Sequence, residues 1–210
     1  MGYAGTPDLW ADLFPDDLLP AIIDLVLECW SIFPKPATDD LEVPITQRFC
    51  ACLRAERNRS RLPFTIGIES PELAPSSGEL RGRIDLRLTH GYRDEVYFAI
   101  ECKRLNVVAK GKRSSLAAEY VKEGMMRFIT GQYAMGLDKG GMLGYVMDGK
   151  VPDAIAFVKK AIDSRSTALA MSCSTSLSAC AIRPNAQEVR ETRHLPKGRQ
   201  FFIYHLFVGV

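Results

Sequence analysis

The chain predicts a mixed α/β domain, and two observations predict it. A helical pattern is followed by three closely spaced segments of alternating hydrophobicity, then by another helical pattern and a further strand. Of 210 residues, 47% are hydrophobic and 25% charged, enough apolar material for a substantial core and too little bias for disorder, collagen or a coiled coil. One domain of moderate size with appendages suits this length.

Each element has its own signature. Residues 16–30 form an amphipathic helix entered through Pro15 and closed by the FPKP run at 33–36. Its apolar positions Leu18, Ile22, Leu25, Val26, Cys29 and Trp30 recur at helical spacing, so one face docks on something. We assign 1–36 to an N-terminal helical extension and 37–210 to the main domain. A second helix runs from about 41 to 58, with Thr38, Asp39 and Asp40 as cap candidates, Pro44 in its first turn, and Phe49, Cys52 and Leu53 as its stripe. Residues 64–69 alternate, with Phe64, Ile66 and Ile68 on one face, and a Pro/Ser/Gly loop follows at 71–78. Residues 83–90 put Ile84, Leu86 and Leu88 on one side. After a turn at 91–94, residues 95–103 put Val96, Phe98, Ile100 and Cys102 on one side. This is a meander with one apolar face. A basic loop at 104–113 leads to a long helix at 114–135, capped by Ser114 or Ser115. A strand at 141–147, a helix at 152–162, an undecided stretch at 163–180 and a strand at 200–208 buried on both faces complete the chain.

Charge is unevenly spread. Residues 1–42 carry nine acids against one base, Lys35, while the rest of the chain holds 26 bases and 16 acids, so a net charge of +2 conceals a basic body suited to an anionic partner. The six cysteines include no CxxC pair and only three histidines accompany them, which argues against both a disulfide framework and structural zinc. The first residues lack the basic and apolar regions of a signal peptide, and the apolar stretch at 18–33 is broken by Pro20, Asp24 and Glu28, so a cytoplasmic location without membrane spans is expected. Walker, GxSxG and HExxH motifs are absent, and His205, inside an apolar strand, reads as a core histidine.

The polar face of the meander carries the chemistry. With a turn centred on Tyr92-Arg93, paired residue numbers sum to 185 or 186. Only the even sum aligns the apolar faces, which sets Asp85 opposite Glu101. Lys103 shares their side. Two facing carboxylates repel unless a hard divalent cation such as Mg²⁺ joins them; the competing explanation is a surface ion-pair cluster.

Asp85, a fifteen-residue spacer and then Glu101-Cys102-Lys103 at the end of the next strand resemble the PD-(D/E)XK nuclease superfamily, with Ile84 in place of the proline. The resemblance implies a restriction-endonuclease-like αβββαβ core over about 41–147, a mixed central sheet flanked by helices, and C-terminal strand additions. It implies an endonuclease cleaving DNA in restriction or anti-phage defence. Asp85, Glu101 and the Cys102 carbonyl would hold Mg²⁺ or Mn²⁺, and Lys103 would act electrostatically on the attacking water or the developing charge. Glu42 matches an auxiliary acidic position of the metal shell, and with Asp39 it equally spells a capping box. Glu69 is a weaker metal candidate, and Glu56 a solvated charge.

Tyr120, Gly124, Arg127 and Gly131 fall on one face of the following helix, where the glycines suggest close approach to the sheet and Arg127 would reach a phosphate or Glu101. Arg104, Lys110, Lys112 and Arg113 form a landing for a nucleic-acid backbone, with Gln132 beside Arg127. The alternatives are a catalytically idle nucleic-acid-binding or assembly module of the same fold and an RNA-directed nuclease. The N-terminal helix is a candidate contact for a protein partner or a second copy.

Overall fold

A computed structural model describes residues 14–74, 77–91, 95–109, 111–172 and 176–210. The turn residues Tyr92, Arg93 and Asp94, together with Lys110, lie outside the described residues. The elements in chain order are α1 (Leu19–Ile32), α2 (Glu42–Arg59), β1 (Thr65–Leu73), β2 (Leu80–Thr89), β3 (Tyr97–Leu105), β4 (Val107–Ala109) and β5 (Lys112–Ser114). A helix in three consecutive segments follows: α3 (Ala117–Glu119), a π turn (Tyr120–Met125) and α4 (Met126–Ile129). Then come β6 (Lys139–Val146), α5 (Val151–Asp163), β7 (Ser178–Ala179), β8 (Val189–His194) and β9 (Phe201–Gly209).

Seven strands make one mixed sheet in the order β1-β2-β3-β6-β9-β8-β7. The β3–β6 and β6–β9 pairs are parallel and the others antiparallel. Each face carries its own core. Alternate residues of β3 and β6 divide cleanly, Phe98, Ile100, Cys102, Leu143 and Tyr145 facing α1 and α2, and Tyr97, Ala99, Leu105, Met142 and Val146 facing the segmented helix and α5. Among the described residues no helix is long and apolar enough to cross a membrane.

The apolar face of α1 is filled by this chain itself. Ile22, Leu25, Val26, Cys29 and Trp30 are buried in the first core, and the Trp30 indole donates to the Gly209 carbonyl at 2.7 Å. Arg183 clamps Asp24 on its other side.

The β2–β3 register has the even sum expected, running from Thr89↔Tyr97 to Leu86↔Ile100. Ile84 departs from its assigned face. Leu86 and Leu88 lie in the first core, whereas Ile84 lies in the second. The switch falls at Asp85, where the ladder to β3 has stopped and the neighbouring strand carries Glu69 at φ 46°. The loop expected at 71–78 is shorter, because β1 continues through Pro71 to Leu73; as an edge strand it tolerates the missing N–H. The basic loop at 104–113 is the end of β3 plus the β4–β5 hairpin.

The helix expected over 114–135 is shorter, 117–129, because Leu116 (φ 51°) precedes it and Gly131 (φ 73°) follows its end. Gly131 is therefore a turn residue with open space around it, whereas Gly124 does face the sheet: a Cβ there would meet Met142 Cε at 2.4 Å and Lys103 Cγ at 3.6 Å.

Candidate active site

Asp85 sits where β2 parts from β3. With no strand partner on that side, the Cys102 N–H is taken by Asp85 Oδ2 at 2.7 Å, so the carboxylate continues the ladder in place of a backbone carbonyl. On β3, Glu101 and Lys103 alternate with Cys102 and emerge on the opposite face from its thiol.

Glu101 is fully buried. Its Oε1 accepts from Lys103 Nζ at 2.7 Å and lies 2.9 Å from Arg127 Nη1, while its Oε2 is buried with no hydrogen-bond partner. Burial, then the charge of Asp85, pushes its pKa up to about 7 against the pull of Lys103 and Arg127. Asp85 is raised too, first by burial, with Lys103 opposing. These opposing influences place Asp85 and Glu101 in one electrostatic cluster, which the even-sum register anticipates.

Lys103 Nζ contacts Glu101 Oε1, the Cys102 carbonyl at 2.8 Å and Glu42 Oε1 at 2.9 Å. Burial alone would lower its pKa, but Glu101, Glu42 and Asp85 more than reverse this and hold it above the ordinary lysine value. Glu42 is the first residue of α2, and its second oxygen accepts the Arg104 N–H at 3.0 Å. The Asp39–Glu42 capping box does not form: Leu41 is the cap residue without a side-chain bond, and Glu42 turns toward the ammonium instead. A buried cation is a stronger partner than a neutral N–H.

Arg127 comes from α4, and a π turn immediately before it inserts one residue per turn into the helix. Its guanidinium reaches both Glu101 and the Tyr133 hydroxyl, which itself donates to the Arg83 carbonyl. Tyr133 thus ties the helix to β2 beside Asp85.

The other basic candidates are dispersed. Arg104 donates to the Asp40 carbonyl at 3.0 Å; Arg113 pairs with Asp148 at 2.9 Å and Asp153 at 3.1 Å and lies over Phe157. Gln132 donates to the Arg81 carbonyl at 2.7 Å. Lys112 is exposed on β5. Glu69 accepts from Gln47 at 3.1 Å and Glu56 pairs with Arg59 at 3.1 Å. His205 is a buried histidine held between Tyr120 and Thr192.

The donor set suits a hard divalent cation. Two carboxylates and a peptide carbonyl are oxygen ligands, and Glu101 Oε2 is a buried oxygen without a hydrogen-bond partner. Among the described residues no three His, Cys, Asp or Glu side chains form a ligand cluster, so a cation here would rest on Asp85, Glu101, the Cys102 carbonyl and water. That is a ligand count Mg²⁺ accepts, since it retains several waters. No protein family, curated protein or solved structure matches this chain.

Proposed function

We propose that the chain is a divalent-metal-dependent endonuclease that hydrolyses phosphodiester bonds in DNA, built on a PD-(D/E)XK-type αβββαβ core over residues 41–147. The observation that carries this is Glu101: a fully buried carboxylate with one oxygen on two cations and the other unpartnered, beside a second raised carboxylate. Burying such a group costs the sheet stability, whereas a metal-dependent phosphodiester hydrolase uses it as a ligand.

Asp85, Glu101 and the Cys102 carbonyl would hold Mg²⁺ or Mn²⁺, which when bound polarises a phosphoryl oxygen and lowers the pKa of a water. The remaining chemistry belongs to the chain. Lys103, kept protonated by its carboxylates, is an electrostatic group that stabilises charge developing on the phosphate and is not a general base. Glu42 positions that ammonium, and Arg127 holds Glu101 Oε1 in place through a guanidinium fixed by Tyr133. A setting in restriction or anti-phage defence follows from the resemblance alone.

The test is conversion of supercoiled plasmid to nicked and linear forms in Mg²⁺ or Mn²⁺, with a chelator control. Cleavage that disappears in Asp85→Ala and in Lys103→Ala while DNA binding persists supports the assignment. Cleavage surviving both substitutions, or DNA binding without cleavage in any divalent metal, contradicts it, the latter pointing to an idle binding module.

A further inference from the structure

Beside Lys103, on the α2 side, lies a pocket of about 340 Å³. Its lining is charged at Glu42, Lys103, Arg104 and Glu119 and aliphatic at Leu41, Val43, Pro44 and Leu116. Leu41 and Val43 are 61% and 51% exposed, large apolar side chains left in water at the mouth of a charged site. Leu116 is held at φ 51°, a left-handed conformation unusual for a bulky residue and of the sort retained where a side chain must be presented. Neither feature contributes to the two cores.

We propose that this pocket takes one unstacked nucleoside next to the scissile phosphate, and that the substrate is a nucleic acid already unpaired at the cleavage point. The inference rests on the hydrolase assignment above and names its substrate class. The pocket shares Lys103 and Glu42 with the cluster that would act on the phosphate, so a group that fills it lies next to the reacting one. The base face meets the aliphatic wall, and the flanking phosphate meets Arg104 and Lys103. A base inside a duplex is stacked and paired and cannot enter. Extruding it carries an unstacking cost that enzymes commonly recover by sandwiching the base between aromatic rings. The apolar part of this lining is aliphatic and returns less, which favours strands that are unpaired beforehand: single strands, flaps, gaps, or the strained openings of supercoiled DNA.

The test uses the full chain with Mg²⁺ and end-labelled oligonucleotides of one sequence presented as a single strand, an intact duplex and a duplex with a central gap. The expected kcat/KM on the single strand and the gap exceeds that on the duplex by about tenfold or more. Leu41→Ser/Val43→Ser, both at exposed positions, lowers the unpaired rate about tenfold through KM and closes the gap between substrates. Anisotropy binding with the Asp85→Asn chain in Ca²⁺ shows the same preference and its loss. Equal rates on paired and unpaired substrates, or a double variant that lowers both alike, overturns the pocket assignment while leaving the hydrolase standing. Cleavage of none of the three overturns the hydrolase assignment, and the pocket assignment with it.

Discussion

Replacing Glu101 by glutamine removes the charge that the protein has least means to solvate. The carboxyl is fully buried and its pKa is pushed from the ordinary 4.5 up to about 7. A carboxyl raised on folding contributes stability below 4.5 and loses it as pH rises through 7. At pH 8, some 2.5 pH units of ionisation are forced on the native state, about 3 kcal/mol at 1.36 kcal/mol per unit. Glutamine imitates the protonated acid and escapes that cost. The metal-free variant is therefore expected to be more stable than the parent by about 3 kcal/mol at pH 8 and by less than about 1 kcal/mol at pH 5, a Tm difference of roughly 6–12 °C at the higher pH for a chain of this size. Lys103 loses Glu101 as a partner in the variant, and Glu42 and Asp85 remain to keep its buried ammonium charged. Urea and thermal unfolding in chelator at both pH values measure the difference. A variant no more stable than the parent at pH 8, or one with the same gain at both pH values, would refute the reasoning and show that pairing with Lys103 and Arg127 outweighs burial.

Gly124→Ala puts a methyl against the flexible end of Met142, so a helix-propensity gain of about 1 kcal/mol is offset by repacking and the net change in urea midpoint is small. Gly124→Val presses on the Lys103 stem as well and is expected to cost about 1–3 kcal/mol and to lower kcat more than it raises KM. Elsewhere, the Leu169 carbonyl only accepts, so it fixes the proton on His194 Nδ1. Thr192 then donates to His194 Nε2 and accepts from His205 Nε2, and Tyr120 donates to His205 Nδ1. Thr192→Val breaks this wire at its centre and should cost about 1–3 kcal/mol, read from the urea midpoint at pH 7. Burial holds the pKa of His194 down to about 4 and that of His205 down to about 3, so stability is present above 6.5 and is lost as pH falls below it, because only the unfolded chain takes up those protons. Nitrogen chemical shifts of a neutral pair at pH 5.5 check the assignment; imidazolium shifts there would contradict it.

The legible parts of this protein are those set by alternation. Val96, Phe98, Ile100 and Cys102 against Leu86 and Leu88 permit one register, and that register carries Asp85 to Cys102 and Glu101. Alternation stops being informative where strands separate, which is why Ile84 lies in the other core. The strand Val189–His194 was hidden by its composition: Glu191, Thr192 and His194 are buried polar groups satisfied by hydrogen bonds, and no hydrophobic pattern announces them. Helix signals ran past Ile129 because Gly131 fits equally well inside a glycine stripe or after a helix end, and only the backbone dihedral separates the two. Local spacing leaves Glu42 open between a capping box and an auxiliary metal-shell position, and the ammonium it binds comes from a residue 61 positions away. The exposed Leu41 and Val43 had no signal at all, since a helix beginning with apolar residues ordinarily buries them.

The direct measurement is anomalous diffraction from crystals soaked in Mn²⁺. A single strong peak bonded to the carboxylates of Asp85 and Glu101 and to the Cys102 carbonyl, at about 2.0–2.3 Å, is the result this account predicts. Density without a peak there, with Lys103 still seated on Glu101 at saturating Mn²⁺, would contradict it.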